Sequence, residues 1–329
     1  MSNVQPILKW AGGKRKLAPL ITKVVIEEIP TTKHYVEPFF GGGAVYFELY
    51  KNNLIKSAEI NDIVPQLVNF YKTVSKTSEV EKIYSAIVNK LNYFNSLNQL
   101  EKRKKYFEYL RKSFNNIWSQ DNTEFEKHSS PPDYLGLEES LKSSVLLYVI
   151  NKTCFNGLFR VNSKGEFNVP LGSYEKVQIP NLNDLIYTSE ALSKANIHFG
   201  DYERVLKKSL QKKDSFVYLD PPYVANSKTS DFTSYSKDKF KDTTNNEDSE
   251  HIRLAENFEF MVNSGAKIIL SNHNNSKALS IFVEGKKNIF VYGIDVTKTI
   301  GRVKGSKNAS SELLISSFEI ASLKDKRID

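Results

Sequence analysis

A chain of 329 residues with 40% hydrophobic and 26% charged residues has the composition of an ordinary globular protein, long enough for one large or two modest domains. Its single cysteine, Cys154, excludes an intramolecular disulfide and a cysteine-bound zinc cluster and favours a reducing compartment. Because no secretory signal and no apolar run of about 18 residues is found, we expect a cytoplasmic protein without a membrane span; the net charge of +8 is compatible with a nucleic-acid partner.

The first 74 residues alternate between helix-like and strand-like segments. Apolar spacing predicts helices at 14–29, 44–50 and 64–74 and short strands at 34–36 and 57–60. A glycine-rich loop follows the first strand, and an Asn-Asp pair follows the second. This order of elements is typical of the beginning of a doubly wound α/β sheet.

The middle of the chain has a different character. It is rich in Lys, Asn, Glu and aromatic residues, with helical spacing at 101–114 and again at 140–151. Two alternating segments flank an Asn-Ser-Lys-Gly turn within 159–170, which predicts a β-hairpin. We therefore expect an inserted domain at 75–180 that contains helices and a hairpin.

The α/β rhythm resumes near residue 181, with a helix predicted at 182–194. Strands are predicted at 197–199, 215–219, 267–270, 288–292 and 312–317. The polar residues 224–250 predict a long loop over a site. The segments 1–74 and 181–329 are thus expected to form one discontinuous α/β domain that the insert interrupts.

The sequence Asp220-Pro221-Pro222-Tyr223 follows the strand predicted at 215–219. Open α/β sheets usually bind ligands at the carboxyl ends of their strands. Because the two prolines lack N–H groups, this loop presents carbonyl oxygens beside a carboxylate. These acceptors suit an exocyclic amine, and the tyrosine ring offers a stacking face to a planar base. The alternative is a Pro-Pro turn beside a solvated Asp.

Two glycine-containing segments precede this loop. Residues 37–43 end in three glycines, which let the backbone approach a ligand closely just before a helix begins. They lack the G-x-G-x-x-G spacing of dinucleotide-binding loops, and the Gly-Gly-Lys at 12–14 is not a Walker A loop. Asp62 stands about twenty residues further on, where an acid commonly holds ribose hydroxyls; its alternative role is a helix N-cap. Glu59 is a competing acid inside the strand.

Several motifs occur in an order that resembles the alpha group of amino-methyltransferases. These are Lys-Trp-Ala-Gly-Gly-Lys at 9–14, Glu-Pro-Phe-Phe-Gly-Gly-Gly at 37–43 and Asp-Pro-Pro-Tyr at 220–223. Asn-Gly-Leu-Phe-Arg-Val-Asn at 156–162 and Gly-Glu-Phe-Asn-Val-Pro at 165–170 closely resemble the GATC-specific DNA adenine-N6 methyltransferases of the D12 class. The similarity covers nearly the whole chain. It implies an α/β fold with a doubly wound, Rossmann-like sheet and an inserted helical, hairpin-bearing DNA-recognition domain.

The resemblance implies S-adenosylmethionine as the cofactor. The residues it assigns to cofactor binding are Trp10, Ala11, Gly12, Lys14, Glu37, Pro38, Phe39, Gly41, Gly43, Asp62, Asp201 and Tyr202. Those up to Gly43 would enclose the methionine part, Asp62 would bind the ribose, and Asp201 with Tyr202 would contact the adenine. Trp10 has core filling as its alternative role, and Asp201 has that of a turn residue.

The implied reaction is direct methyl transfer to N6 of an adenine that is flipped out of double-stranded DNA. The implied catalytic residues are Asp220, Pro221, Pro222 and Tyr223. The carboxylate and the Pro221 carbonyl would accept hydrogen bonds from the amine and stabilise its developing positive charge, while Tyr223 would stack on the base. No metal and no covalent intermediate is implied, so Cys154 is expected to be structural.

The resemblance also assigns residues to DNA recognition. They are Lys9, Phe155, Asn156, Leu158, Arg160, Asn162 and Pro170. Lys9 would read the outer guanine, and Pro170 would press on a thymine. Arg160 is the strongest candidate for a bidentate guanine contact, with a phosphate contact as the alternative.

We therefore expect a bacterial or phage enzyme that methylates adenine N6, with GATC as the predicted site. Alternatives are a longer site beginning GAT and cytosine-N4 methylation, against which Asp220 argues because cytosine-N4 relatives usually have Ser there. A DNA-binding protein without activity and a restriction endonuclease are alternatives of another class. Expected partners are double-stranded DNA and, in a restriction–modification system, a cognate restriction endonuclease. The expected oligomeric state is a monomer.

Overall fold

The computed structural model of the protein describes residues 4–119, 136–224, 249–296 and 310–328. Within them the chain forms a seven-stranded sheet with helices on both faces. None of the described helices is long and apolar enough to cross a membrane. Of the loop predicted at 224–250, residues 225–248 lie outside the described part of the chain, and a helix begins at Ser249.

The central sheet contains every strand that the sequence predicts. The strands are β1 (His34–Glu37), β2 (Ser57–Asp62), β3 (Ala195–Phe199), β4 (Ser215–Leu219), β5 (Lys267–His273), β6 (Phe290–Val296) and β7 (Ser310–Ser316). Their spatial order is β3-β2-β1-β4-β5-β7-β6, with β7 antiparallel to both of its neighbours and β1 to β5 parallel. The chain order reverses between β1 and β4, and open α/β sheets bind ligands at such a switch point.

Alternate residues of the central strands enter two separate hydrophobic cores. Tyr35 and Tyr218 belong to a core on one face, whereas Val36 and Val217 belong to a core on the other. Successive side chains of a strand point to opposite faces, so apolar runs such as Ser215–Leu219 are buried on both. The sheet is therefore the middle of three layers, as the predicted doubly wound fold requires.

Ten α-helices surround the sheet within the described residues. They are α1 (Ala18–Glu28), α2 (Ala44–Lys51), α3 (Pro65–Val74), α4 (Val80–Ser96), α5 (Leu100–Trp118), α6 (Leu137–Thr153), α7 (Leu182–Leu192), α8 (Glu203–Ser209), α9 (Ser249–Asn263) and α10 (Ser276–Phe282). The helix predicted at 14–29 begins later, at Ala18, because Pro19 occupies its first turn, where a missing N–H costs nothing. Helix α4 is absent from the sequence-based prediction.

The helices α4, α5 and α6, which precede residues 156–170, pack on the first core. Ile87 and Leu91 of α4, Leu110 of α5 and Val149 of α6 are fully buried members of that core. Helix α6 lies against α3, α4 and α5. Helices α4, α5 and α6 are thus joined to the sheet layer by continuous apolar packing.

The predicted hairpin at 159–170 is shorter than expected. One bridge pairs Val161 with Phe167, flanked by hydrogen bonds from Asn162 N to Glu166 O and from Asn168 N to Arg160 O. The backbone of Phe167 is instead held by α5, since its N–H and C=O both bond the side-chain amide of Asn115. These side-chain hydrogen bonds take the place of further backbone hydrogen bonds between the two segments of the hairpin.

Candidate active site

Four neighbouring strands each carry an acidic residue at the carboxyl end. Glu37 ends β1 and Asp62 ends β2, while Asp201 and Asp220 follow β3 and β4 closely. Because β3, β2, β1 and β4 are parallel neighbours, their carboxyl ends meet at one edge of the sheet. The acids predicted from separate motifs therefore lie along the same edge.

Lys14 reaches this edge from the turn before α1. Its Nζ atom lies 2.9 Å from Asp220 Oδ1 and donates a hydrogen bond to the Gly12 carbonyl at 2.7 Å. It also lies 4.5 Å from the centre of the Tyr223 ring. Burial by itself would lower the pKa of this ammonium, but the Asp220 carboxylate helps to raise it above its ordinary value. Lys14, predicted to bind the cofactor, thus contacts the Asp220 loop directly.

The loop after β4 is fixed by groups from three other elements. The Tyr223 ring makes an edge contact with His273, with centroids 4.6 Å apart, and its hydroxyl donates to Glu312 at 3.2 Å. His251 Nε2 donates to the Pro222 carbonyl at 2.9 Å. Within the described residues, no hydrogen bond to the Pro221 carbonyl is found. That carbonyl therefore keeps its acceptor capacity beside Asp220.

The glycine-rich loop after β1 packs beneath Trp10. A Cβ atom on Gly41 would lie 2.9 Å from Trp10 Cδ1, and Gly41 has a φ of +48°, so glycine is required there. The Trp10 ring also stacks on Phe159, with centroids 5.3 Å apart. Trp10 therefore packs between the glycine loop and Phe159, which is the core-filling role that was its alternative.

Asp62 and Asn61 hold the same loop from β2. Asp62 accepts hydrogen bonds from Gly41 N at 2.8 Å and from Val64 N at 2.9 Å. Asn61 donates to the carbonyls of Pro38 and Gly200 at 3.0 and 2.9 Å, which ties the ends of β1 and β3 together. Asp62 thus makes the local turn contact expected of a cap, and each of its oxygens retains a further lone pair. Asn61 was missed, although its position beside Asp62 is a usable signal.

Burial raises the pKa of Asp62 to about 6, against the opposing effect of its backbone hydrogen bonds. A carboxyl group whose pKa is higher in the folded state binds protons more tightly there, so its ionised form lowers stability above pH 6. We expect acidification from pH 7.5 to pH 5 to stabilise the cofactor-free wild type by about 1 kcal/mol relative to Asp62→Asn. Urea unfolding at both pH values measures this difference; identical pH dependence of the two proteins would contradict it.

Asp201 and Tyr202 form a cluster with a residue of α9. Arg253 contacts Asp201 Oδ2 at 2.6 Å and Glu203 Oε2 at 3.0 Å, and its guanidinium carbon lies 4.6 Å from the Tyr202 ring centre. Asp201 also accepts from Glu203 N at 2.9 Å, which confirms the turn contact. The Phe39 ring lies 5.0 Å from that of Tyr202. The β1 and β3 loops therefore meet at an aromatic pair.

These groups fit S-adenosylmethionine, whose ammonium, ribose hydroxyls and exocyclic amine donate hydrogen bonds and whose sulfonium carries a positive charge. Burial raises the pKa of Glu37 well above its ordinary value, and its Oε2 atom has no hydrogen-bond partner within the described residues. Such an oxygen is costly to leave unpaired in a buried site. A cationic ligand at this edge would satisfy it.

Lys9 packs against residues 156–162 through Gly157 and Asn151. A Cβ atom on Gly157 would lie 2.4 Å from Lys9 Cδ, so the lysine stem packs directly on the glycine. Asn151 accepts from Lys9 N at 2.9 Å and donates to the carbonyls of Lys9 and Gly157 at 2.9 and 3.0 Å. The Lys9 ammonium contacts the Tyr174 hydroxyl at 3.3 Å. Sequence reasoning missed Asn151 and Tyr174, which no motif marks.

The remaining predicted DNA residues surround this contact. Phe155 is 49% exposed, Asn156 has a left-handed φ of 53°, and Leu158 is partly buried. Pro170 is exposed, and its carbonyl accepts from Phe155 N at 2.9 Å. Phe155 and Pro170, both predicted to bind DNA, are thus in direct contact.

Arg160 and Asn162 have different environments. Arg160 is exposed, and its Nε atom donates to Asn168 Oδ1 at 2.8 Å. This hydrogen bond orients the guanidinium, and the two terminal nitrogens of the guanidinium take no part in it. Asn162 uses its amide inside the turn, donating to Glu166 Oε2 and accepting from the backbone N–H groups of Lys164 and Glu166. Its side chain therefore stabilises the turn.

Two groups weighed from the sequence have internal partners. Glu59 accepts from Asn196 at 2.9 Å and contacts His198 and Lys212. The hydrogen bonds of its carboxylate therefore connect β2 with β3 within the sheet. Burial raises the pKa of the Cys154 thiol to about 12, so the reactive thiolate is scarce at neutral pH. Among the described residues, no cluster of His, Cys, Asp or Glu could hold a metal ion.

Comparison with known proteins identifies the family. Residues 10–298 match the family of D12 class N6 adenine-specific DNA methyltransferases. The chain is 36% identical to the type II methyltransferase M.MjaIII of Methanocaldococcus jannaschii, over 96% of this chain and 99% of that protein. It is 31% identical to the type II methyltransferase M1.LlaDCHI of Lactococcus lactis, over 96% of each, and 30% identical to a DNA adenine methylase of Vibrio cholerae, over 95% and 96%. The chain therefore belongs to the D12 class of N6 adenine-specific DNA methyltransferases, enzymes that use S-adenosylmethionine to methylate adenine in DNA.

Proposed function

We propose that this enzyme methylates adenine N6 within GATC in double-stranded DNA. The observation that carries the proposal is the packing of Lys9 on Gly157 with Asn151 bridging the two, which joins both predicted reading elements into one surface. The similar Vibrio cholerae protein is named DNA adenine methylase. A longer site beginning GAT is the second candidate, because relatives with such sites share much of this hairpin. Cytosine-N4 methylation is disfavoured by Asp220 and by the adenine-specific family.

The target amine is proposed to bind between Asp220 and the Pro221 carbonyl. Asp220 Oδ1 is already held by Lys14, so Oδ2 and the neighbouring carbonyl would accept from the two N–H groups of the amine. These bonds favour a pyramidal nitrogen and stabilise the positive charge that develops on it. S-adenosylmethionine supplies the electrophilic methyl group. Tyr223, held by Glu312 and His273, is proposed to stack on the flipped base.

The cofactor is proposed to lie along the acidic edge of the sheet. Trp10, Glu37 and the glycine loop would surround its methionine part, and Asp62 would bind the ribose hydroxyls. Tyr202, supported by Phe39 and Arg253, would contact the adenine ring. This assignment is supported by the unpaired buried oxygen of Glu37 and by the order of the four acids along the edge.

The domain organisation and partners follow from the same proposal. Residues 1–74 and 181–329 would form the catalytic domain, and 75–180 the DNA-recognition domain. We propose a monomer, since a single copy carries every predicted site residue. A cognate restriction endonuclease is the proposed partner, because two of the similar proteins are named type II methyltransferases.

Arg160→Ala is expected to relax site choice more than it weakens general DNA binding. Loss of a bidentate guanine contact worth about 1–3 kcal/mol would lower discrimination against sites altered at that guanine about 5- to 150-fold. Transfer rates on GATC and on each singly altered duplex measure this. Lys164→Ala is the matched control, because Lys164 is an exposed cation on the same turn. Equal loss on all duplexes would instead indicate a phosphate contact.

Single-molecule sequencing of genomic DNA from a host that expresses the protein tests the proposed site directly, because it reports the methylated base, its position and the motif together. The host must lack its own GATC methylation. N6-methyladenine confined to GATC would support the proposal, whereas methylation confined to longer sites beginning GAT would support the second candidate. Methylation at unrelated sequences would contradict both.

A further inference from the structure

Ser271 lies beside Asp220 although no motif of the sequence marks it. Strands β4 and β5 pair in parallel with Leu219 opposite Leu270, so the next residue of each strand, Asp220 and Ser271, is adjacent across the pair. Ser271 is fully buried in β5, 51 positions from Asp220 in the chain. The register of two strands thus brings a serine hydroxyl to the carboxylate.

A chain of hydrogen bonds runs through this serine. The Tyr218 hydroxyl contacts Ser271 Oγ at 3.0 Å, and Ser271 Oγ contacts Asp220 Oδ1 at 3.0 Å. Burial raises the pKa of Tyr218 well above its ordinary value, so its phenol stays protonated and donates. Because the tyrosine proton fills an acceptor site of Ser271, the serine is free to donate its own proton onward. Its other acceptor, the Leu219 carbonyl, is further away at 3.3 Å.

The two oxygens of Asp220 have unequal surroundings. Oδ1 receives both Ser271 Oγ at 3.0 Å and Lys14 Nζ at 2.9 Å, from opposite parts of the chain. Within the described residues, Oδ2 has no hydrogen-bond partner, and the Asp220 side chain keeps 18% of its surface exposed. Two donors on one oxygen fix the rotation of the carboxylate, which leaves the other oxygen as the acceptor for a ligand.

We propose that Ser271, backed by Tyr218, is a positioning residue that fixes the carboxylate of Asp220 with Oδ2 toward the target amine. The proposal rests on the proposed role of Asp220 as the acceptor of the adenine amine. It assigns to Ser271 no contact with DNA or cofactor. The orientation of an acceptor matters most when charge develops in the transition state, so kcat should respond and substrate binding should not.

Ser271→Ala is expected to lower kcat about tenfold while KM for DNA and KM for S-adenosylmethionine change less than about twofold. Ser271→Thr, which restores the hydroxyl, is expected to recover most of the rate. Ser215→Ala is the matched control, because Ser215 is also a buried strand serine and its hydroxyl has no partner within the described residues. Its kcat is expected to equal that of the wild type.

Full kcat in folded Ser271→Ala, or the same loss in Ser215→Ala, would overturn the proposal. If Ser271→Ala fails to fold, Tyr218→Phe removes the supporting hydroxyl alone, and an unchanged kcat there would also overturn it. The variant Asp220→Ala distinguishes the role of Asp220 from the role of Ser271. A fully active Asp220→Ala enzyme would refute the role of Asp220 itself, whereas an inactive Asp220→Ala beside a fully active Ser271→Ala would refute only the role of Ser271.

Discussion

Asp220→Ala is expected to reduce methyl transfer at least about a hundredfold, because it removes the acceptor that would stabilise charge on the target nitrogen. Its affinity for S-adenosylmethionine is expected to stay within about threefold of the wild type, since the proposed cofactor contacts other than that of Lys14 are made elsewhere along the edge. Single-turnover transfer to duplex DNA and equilibrium binding of the cofactor measure the two effects separately.

Asp220→Asn is the control for folding. Its amide oxygen can still accept from Lys14 and Ser271, which both contact Oδ1 in the wild type. The amide lacks the negative charge and presents a donor where Oδ2 stood, so transfer should fall almost as far as in Asp220→Ala. A nearly full turnover rate in either folded variant would refute the assigned role.

Lys14→Met is expected to lower the free energy of unfolding by about 2–4 kcal/mol, because it leaves Asp220 as a mostly buried carboxylate without its cation. The Lys14 and Asp220 side chains are 8% and 18% exposed, so water compensates little for the lost pair. Transfer should fall as well, since the ammonium helps to hold Oδ1. Urea unfolding of the cofactor-free protein measures the stability change.

Two further variants serve as controls for Lys14→Met. Lys212→Met removes a 48% exposed lysine that lies 3.4 Å from Glu59, and it should cost less than about 1 kcal/mol. Adding Asp220→Asn to Lys14→Met should restore much of the lost stability, because no uncompensated charge then remains. Wild-type stability in Lys14→Met together with weak cofactor binding would instead support a role in the cofactor site alone.

The strand ends of the site were predictable because the sequence changes character there. Apolar runs give way to Glu37, to Asp62 and to Asp220, and each of these acids lies at or directly after the carboxyl end of its strand. The helix α4 was also predictable in principle. Its buried residues Ile83, Ile87 and Leu91 have helical spacing, which the sequence-based prediction overlooked.

In the hairpin, the alternating sequence pattern predicts more strand pairing than the structure contains. The pattern at 159–170 is that of two strands, yet the structure contains a single bridge. Asn115 of α5 takes both backbone groups of Phe167, and Asn162 takes the turn N–H groups. A side chain can satisfy a backbone group as well as a strand can, and period-two spacing does not reveal which does so.

The order of the motifs, the strand ends and the residue types at the site were evident from the sequence, because these depend on local composition and on the polarity needed at a sheet edge. Which of these residues contact one another became evident only in the folded chain. Lys14 contacts Asp220, and Arg253 contacts Asp201. The register of β4 and β5 places Ser271 beside Asp220. These partners are distant in the sequence and are brought together by strand order and helix packing, which local sequence patterns do not predict.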